Sequence, residues 1–178
     1  RLRRNWFRLG TGYRGRTWAS EQIWQHGLRL EAGWEHISGA ELVVAGSLMQ
    51  SQLVEDDAVH LRVNTQTVEL LGGYRVSWDR ASVAVQAGLA ADTYTREAIS
   101  RVTGLQIQTG SRRWIAGAHL GADGAIRIYG PLDLQLGVGA QWLPGSFDFT
   151  VEEGPISRTL LSLQAVRFDL HAGLRVQI

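Results

Sequence analysis

The last twelve residues, 167–178 (RFDLHAGLRVQI), decide the fold because apolar and polar side chains alternate through them without a break. The even-numbered positions are all apolar: Phe168, Leu170, Ala172, Leu174, Val176 and Ile178. The odd-numbered positions are charged, polar or glycine: Arg167, Asp169, His171, Gly173, Arg175 and Gln177. A strand places alternate side chains on opposite faces, whereas a helix would mix the two sets around its circumference. This stretch therefore predicts a β-strand with one wholly apolar face.

The same two-residue period recurs along the chain and predicts eight strands in all. These stretches are residues 28–35, 67–78, 82–92 and 126–142, with weaker examples at 7–13, 42–48 and 114–120. Ser38-Gly39, Asp79-Arg80 and Asp123-Gly124 have the composition of tight turns, and longer segments lie between them. Short and long connections in turn are typical of an up-and-down antiparallel meander with its tight turns at one end. The alternation slips near residues 64–66 and 165–166, where we expect bulges or strand ends.

Composition excludes several classes of protein. The 178 residues suffice for one domain with a sizeable core, and we expect a single domain over residues 1–178. A formal net charge of +1 gives no reason to expect a nucleic-acid partner. The absence of cysteine excludes disulfides, thiolate metal sites and a cysteine nucleophile. No apolar run approaches the roughly 18 residues of a membrane helix, which excludes a helical membrane protein but leaves a membrane β-barrel open.

The charged residues of the predicted strands share one face, and the bulky apolar residues share the other. The charged set is Arg29, Glu31, Glu69, Arg75, Asp92, Arg127, Asp133, Arg167, Asp169 and Arg175. Most glycines fall on the same polar face, and small residues suit the narrow interior of an eight-stranded barrel. The apolar face then points outward, which is stable only in lipid. We therefore predict an all-β fold, an eight-stranded antiparallel up-and-down transmembrane β-barrel. The alternative is a soluble, lipocalin-like ligand-binding barrel or a two-sheet sandwich, with the apolar face inside.

Two sets of aromatic residues mark opposite ends of the predicted strands. Trp6, Trp34 and Trp78 fall at the tight-turn ends. The long-loop ends carry Trp24, Trp114, Trp142, Tyr13 and Tyr94. Two aromatic belts are typical of a barrel that crosses two membrane–water interfaces.

The chain ends in a pattern that resembles the C-terminal assembly signal of bacterial outer-membrane proteins. His171, Gly173, Val176 and Ile178 occupy its fixed polar, glycine and hydrophobic positions, although that signal usually ends in Phe. By pattern along its whole length, the chain resembles the small eight-stranded barrels typified by the transmembrane domain of outer membrane protein A. That resemblance implies an integral protein of the bacterial outer membrane, with both termini and the tight turns in the periplasm. It also implies contact with outer-membrane lipid, and with the barrel-assembly machinery during insertion.

The lumen charges bear directly on function. Positive and negative side chains are nearly balanced, and an unpaired charge inside a narrow barrel costs several kcal/mol, so the charges should pair. In particular, Asp133 and Asp169 should each contact an arginine. A lumen plugged in this way favours a structural or anchoring role, with other envelope proteins as partners in a larger assembly. A narrow channel for ions or small solutes, gated by the same pairs, is the alternative.

One pair of residues raises the possibility of catalysis. His36 and Ser38 are two apart on a strand, so both side chains share a face, as a serine hydrolase could use. The pair loosely resembles the His-x-Ser element of the outer-membrane lipid A deacylases, which have Asn where this chain has Gly39. A lipid-modifying hydrolase is therefore an alternative, but we predict that the protein is not an enzyme. We expect no catalytic residues, no metal and no cofactor.

The longer loops are the remaining place for binding. Arg96, Arg101, Arg112 and Arg113 make one of them basic. These residues form either an ordinary solvated loop or a docking face for another protein or for anionic lipopolysaccharide, since arginine clusters bind phosphate well.

Overall fold

The computed structural model describes residues 6–20, 23–55, 59–100, 112–144, 148–153 and 156–178, which contain eleven β-strands. The strands are β1 (Trp6–Thr17), β2 (Trp24–Glu35), β3 (Ala40–Met49), β4 (Gln52–Glu55), β5 (Val59–Ser77), β6 (Ala81–Ser100), β7 (Arg112–Tyr129), β8 (Leu132–Trp142), β9 (Asp148–Glu153), β10 (Ile156–Ser162) and β11 (Val166–Gln177). Over these ranges the chain forms no helix long and apolar enough to span a membrane.

Eight of these strands close into a barrel. Their order around the wall is β3-β2-β1-β11-β8-β7-β6-β5, and β3 pairs with β5 to complete the circle. All of these pairings are antiparallel. β4 also pairs with β5, beyond the end of β3, and β9 forms a separate hairpin with β10. The predicted eight-stranded antiparallel barrel is confirmed.

The two faces of the wall are assigned as the alternation predicts. Leu134, Leu136 and Leu174 are 50%, 63% and 46% exposed on the outer face. Asp133 and Asp169 are only 3% and 6% exposed on the inner face. A lipocalin-like barrel would bury these leucines and place both carboxylates in solvent, so the soluble alternative is wrong. Lipid, rather than water, is the solvent that suits this outer surface.

Three tight turns lie at one end of the barrel, and one of them is not where the sequence predicts. Ser38-Gly39 and Asp79-Arg80 do lie in turns, with φ of 94° at Gly39. Asp123-Gly124 lies inside β7 instead, and the turn follows at Gly130-Pro131, where Gly130 has φ of 52°. The prediction was wrong because Asp123 is a strand residue that forms an ion pair in the lumen. Its carboxylate points inward and lies 2.6 Å from the guanidinium of Arg75.

The first and last strands of the wall meet at the tight-turn end. β1 begins there, β11 finishes there, and the backbones of Phe7 and Ile178 exchange hydrogen bonds of 3.2 and 2.8 Å. The backbone N–H of Gln177 also donates to the carbonyl of Pro131 in the β7–β8 turn, at 3.0 Å. The longer connections therefore lie at the opposite end, which we call the long-loop end.

Two smaller expectations about the strands need correction. Residues 64–66 hold no bulge, since β5 keeps an unbroken register with β6 through them. The alternation slips there because Leu61 and Val63 are apolar residues of the inner face, at 4% and 0% exposure. Tyr94 was expected in the outer aromatic belt but is 1% exposed inside the barrel, two positions from Asp92 on the same face. The expected strand end near residue 166 is confirmed, because β11 begins at Val166.

Inner-wall glycines allow neighbouring backbones to approach closely, which gives a first testable prediction. A Cβ on Gly88, on the inner face of β6, would lie 2.0 Å from the carbonyl oxygen of Leu70. A Cβ on Gly72, on the outer face of β5, would meet nothing within 4 Å. We expect Gly88→Ala to lower the free energy of unfolding by about 1–3 kcal/mol through overpacking. Gly72→Ala is the matched control and should change it by less than about 1 kcal/mol. Urea unfolding in phospholipid vesicles measures both, and equal losses would contradict the prediction.

Candidate functional site in the barrel lumen

The inner wall, as far as the structure describes it, carries sixteen charged side chains that pair with one another. Eight are arginines: Arg8, Arg14, Arg16, Arg29, Arg75, Arg127, Arg167 and Arg175. Eight are carboxylates: Glu31, Glu35, Glu41, Glu69, Asp92, Asp123, Asp133 and Asp169. All ten charged residues taken from the alternation are in this set, at inward positions of their strands. The formal charges of the sixteen cancel.

Glu41 joins two arginines near the tight-turn end. Its Oε2 lies 2.6 Å from Nη2 of Arg8 and 2.8 Å from Nε of Arg75. Its other oxygen accepts a hydrogen bond of 2.6 Å from the amide of Gln86. Arg75 also holds Asp123, as described above, so the cluster connects β1, β3, β5, β6 and β7 across the lumen.

Asp133 organises a second group at the same end. Nη2 of Arg175 lies 3.0 Å from its Oδ2, which confirms the predicted arginine contact. The side-chain amide of Gln177 donates to the same oxygen at 3.1 Å. Nε of Arg127 lies 3.6 Å from Oδ1, and this side chain is 35% exposed. This group therefore forms the solvent-facing margin of the network.

The middle of the lumen is occupied by Glu69 and Asp169. Glu69 contacts Arg29 and lies 2.6 Å from Nη2 of Arg14. The same Nη2 lies 3.2 Å from Oδ2 of Asp169, which confirms the arginine contact predicted for Asp169. Nε2 of His119 lies 3.2 Å from that oxygen as well. Arg14 is therefore held between two carboxylates that belong to different strands.

Asp92 has four close partners toward the long-loop end, and the side-chain amide of Gln141 donates to it at 3.5 Å. Its Oδ2 lies 3.1 Å from Nη1 of Arg16 and 2.6 Å from Nη1 of Arg167. The hydroxyls of Tyr94 and Thr67 donate to its two oxygens at 2.6 and 2.7 Å. The four close partners come from β1, β5, β6 and β11, so this cluster crosses the whole lumen.

An apolar cluster covers the lumen beyond Asp92. Its buried members are Trp18, Ala19, Leu61, Val63, Tyr94, Leu161 and Leu163. Backbone hydrogen bonds hold the two connections that supply it together: Ser20 donates to Ser162 at 3.1 Å, and Gln164 donates to Trp18 at 3.0 Å. We call this cluster the apolar cap. Its side chains are apolar and at most 4% exposed, and they pack together at the long-loop end of the described barrel.

Two cavities along the described part of the network are small. One lies between β1, β2, β8 and β11 beside Arg29, Glu31, Gln135 and His171, and its free space is on the scale of a single water molecule. Both ring nitrogens of His171 face this region without a hydrogen-bond partner among the described residues. The second opens at the tight-turn end beside Asp133 and Arg127. Neither has room for an organic substrate or a cofactor.

Several network residues were not predicted from the sequence. Arg8, Arg14 and Arg16 of β1 are almost fully buried, as are Glu41 and Asp123. Arg8, Arg14 and Arg16 lie on inward positions of one strand, so the two-residue period could have indicated them. Asp123 was hidden by its assignment to a turn.

The residues of the predicted assembly signal divide between the two faces of β11. Val176 and Ile178 are 38% and 66% exposed on the outer face. His171 and Gly173 lie on the inner face, where the backbone of Gly173 packs so closely against Thr11 that a Cβ would lie 2.3 Å from its carbonyl oxygen. Their role in assembly stays a prediction.

The His36–Ser38 pair is a turn contact. Nδ1 of His36 lies 2.9 Å from Oγ of Ser38 and accepts from the Ser38 amide at 3.3 Å. In a serine hydrolase the histidine uses Nε2 toward the serine and Nδ1 toward an orienting carboxylate. Here Nδ1 faces the serine, and the neighbouring carboxylate of Glu35 binds Arg8 in the lumen at 3.3 Å. The contact therefore stabilises the β2–β3 turn.

The loop arginines are only partly described. Arg112 and Arg113 are exposed at the start of β7, and the guanidinium of Arg112 lies 5.1 Å from the ring centroid of Trp114. Arg96 is half-buried near the end of β6, and Arg101 lies outside the described residues. Lipopolysaccharide contact through these residues stays a prediction.

Comparison with known proteins gives a likeness of fold. No protein-family model matches the sequence, and no curated protein matches it. The outer membrane protein OprG from Pseudomonas aeruginosa is similar with a TM-score of 0.67 at 8% identity, covering 99% of this chain and 97% of that one. A major outer membrane protein from Thermus thermophilus gives 0.65 at 13% identity, with 96% and 99% covered. Neisserial surface protein A gives 0.63 at 12% identity, with 98% and 97% covered.

These matches extend over nearly the whole of each chain. The chain therefore has the architecture of the small eight-stranded outer-membrane β-barrels, and the resemblance inferred from its sequence pattern is confirmed.

Proposed function

We propose that this protein is an integral β-barrel of the bacterial outer membrane with a structural role, a closed anchor within a larger envelope assembly. The observation that carries the proposal is the lumen, which sixteen mutually paired charges and the apolar cap occupy. An eight-stranded barrel has an interior just wide enough for side chains to fill. A barrel filled in this way contributes a rigid membrane-embedded body and leaves its loops to meet other molecules.

The orientation follows from the same proposal. The tight-turn end, with the start of β1 and the end of β11, faces the periplasm, and the long-loop end faces outward. Outer-membrane lipid and lipopolysaccharide surround the apolar wall, and the barrel-assembly machinery inserts it. Other envelope proteins are the partners of the exposed ends.

The structure favours this role over a channel. A solute that crossed the barrel would pass the Asp92 cluster, in which two arginines, a tyrosine and a threonine converge on one carboxylate. It would then pass the apolar cap, where Trp18 and Leu161 are 0% exposed. Breaking buried ion pairs and wetting an apolar cluster both oppose conduction.

Reconstitution tests the proposal. The purified protein should insert into phospholipid vesicles and should give no unitary current steps in planar bilayers, with an open porin as the positive control. It should also release no fatty acid from lipid A, and Ser38→Ala should behave like the wild type. Discrete current steps would contradict the structural role in favour of a channel. Lipid hydrolysis that disappears in Ser38→Ala would contradict it in favour of an enzyme.

A further inference from the structure

A Trp-x-His sequence lies at each end of strand β2, the second with its histidine one residue beyond the strand. Trp24-Gln25-His26 lies at the long-loop end, and Trp34-Glu35-His36 at the tight-turn end. The middle residues face inward, since Gln25 is 0% exposed and Glu35 binds Arg8 in the lumen. The tryptophans and histidines therefore occupy the outer face.

The spacing of the two sequences matches the thickness of a membrane. His36 lies ten positions after His26 in the sequence. At about 3.3 Å per residue and a tilt of about 40°, this spans roughly 25 Å of depth, the height of the apolar band on outer-membrane barrels. The outward residues of β2 between them are apolar: Leu28, Leu30 and Ala32. Each histidine thus lies at the depth of a different membrane–water interface.

At the long-loop end, three aromatic side chains form a hydrogen-bonded chain on the outer face. Nε1 of Trp24 donates to the hydroxyl oxygen of Tyr13 at 3.2 Å, and that oxygen lies 2.8 Å from Nδ1 of His26. Gly15 makes room for them, because a Cβ there would lie 2.4 Å from the Trp24 ring and 2.5 Å from the Tyr13 hydroxyl. Any other residue at position 15 would push this cluster apart.

The hydrogen-bonded chain accommodates the imidazole tautomer that exposes an N–H. An indole N–H only donates, so the Tyr13 oxygen accepts from Trp24; in the imidazole tautomer that leaves Nδ1 of His26 without a proton, the Tyr13 hydroxyl donates to that nitrogen. Nε2 then carries the N–H. Within the part of the chain that the structure describes, this N–H has no partner, and the His26 side chain is exposed. An oriented donor on the lipid-facing wall is available to a molecule outside the protein.

We propose that Tyr13, Trp24 and His26 form a docking point for the phosphate group of a membrane lipid at the long-loop interface. This rests on the proposed function, because only a membrane-inserted barrel presents the site to lipid headgroups. Phosphate oxygens are strong acceptors at that depth, and a hydrogen bond to a charged acceptor is stronger than one to a neutral acceptor. The indole and phenol rings hold the imidazole at the interface, where such rings partition.

The tight-turn end provides a matched control. His36 is also beside a tryptophan, with ring centroids 5.7 Å apart. Its Nδ1 is engaged by Ser38 of the adjacent turn, whereas no described residue equivalent to Tyr13 orients it. Replacing His36 therefore removes an interfacial histidine without touching the proposed docking point.

Native mass spectrometry tests the proposal on the whole chain in dodecyl maltoside, with lipid A and chemically dephosphorylated lipid A as the two probes. The wild type should retain lipid A in preference to the dephosphorylated form. His26→Phe should weaken lipid A retention about tenfold, Tyr13→Phe should weaken it less, and His36→Phe should change it less than about twofold.

Insertion is measured first, by vesicle flotation and by the heat-dependent gel mobility of the folded barrel. A wild type that does not insert overturns the proposed function and the docking point with it. A wild type that inserts but shows no preference for phosphate overturns the docking point alone. The docking point is also overturned if His26→Phe retains lipid A as well as the wild type does, or if His36→Phe loses as much lipid A retention as His26→Phe.

Discussion

Asp92→Ala is expected to lower the free energy of unfolding by about 3–5 kcal/mol, because it leaves buried arginines without a counter-charge. Asp92 and Arg16 are 0% exposed and Arg167 is 1% exposed, with both guanidinium groups within 3.1 Å of the carboxylate. The hydroxyls of Tyr94 and Thr67 lose their acceptor in the same substitution. Removal of one carboxylate thus takes the acceptor from five donors, the fifth being the side-chain amide of Gln141, in a region that the apolar cap borders on one side.

Urea unfolding in phospholipid vesicles, followed by gel mobility and tryptophan fluorescence, measures the loss. Glu97→Ala is the control, since Glu97 meets Arg62 at 4.0 Å with both side chains more than half exposed. Such a surface pair contributes less than about 1 kcal/mol. The double variant Asp92→Ala/Arg167→Ala should recover part of the stability, because it removes one of the stranded charges. Comparable losses for Asp92→Ala and Glu97→Ala would refute a buried, charge-paired lumen.

The strands and their faces could be predicted because both follow from a local rule. In a strand every second side chain shares a face, so an uninterrupted apolar set such as Leu170, Leu174 and Val176 indicates both the element and its orientation. The same rule cannot detect a connection that leaves the parity of the alternation unchanged. Residues 126–142 keep one parity throughout, yet Gly130-Pro131 divides them between β7 and β8. The two-residue turn alone would reverse the parity, because it pairs Tyr129 with Leu132. The register shift between Arg127 and Tyr129 reverses it again, so Arg127 pairs with Asp133 and the periodicity continues through the turn.

The partners within the lumen could not be predicted, because they depend on closure of the barrel. Arg16 and Asp92 are 76 residues apart and meet only when β1 and β6 face each other across the interior. The arginines of β1 were missed for a related reason. The outer face of this strand includes Thr11 and Gly15, so its apolar half is weak and the predicted strand stopped at Tyr13. Arg14 and Arg16 therefore fell outside it.

The apolar cap lay beyond sequence reasoning for a third reason. Trp18 and Leu163 belong to connections with no regular period, so nothing in the sequence indicates that they meet. Both residues pack against Leu61 and Val63 of β5 and Tyr94 of β6, strands that have 19 and 20 residues. Those strands exceed the roughly 9–11 residues of a membrane crossing. The parts of β5 and β6 beyond this length provide the surface on which the connections pack.

Leu136→Arg is expected to lower the free energy of unfolding in a bilayer by about 2–4 kcal/mol, because it places a charge in the hydrocarbon near the midplane. Leu136 is 63% exposed on the outer face and lies near the centre of β8. Tyr129→Arg is the matched control, since Tyr129 is 82% exposed at the tight-turn end of β7. Near an interface an arginine on the lipid face changes stability by only about 0–1 kcal/mol.

Unfolding of both variants and the wild type in phosphatidylcholine vesicles, and again in detergent micelles, separates lipid burial from simple loss of packing. The penalty for Leu136→Arg should shrink in micelles, which deform and hydrate around an arginine more readily than a bilayer does, whereas Tyr129→Arg should behave alike in both. This contrast depends only on the outward position of Leu136, so it tests the face assignment independently of the lumen charges. Equal effects of the two substitutions in vesicles would mean that the outer wall around β8 does not lie in hydrocarbon, and the membrane-spanning assignment would fail with it.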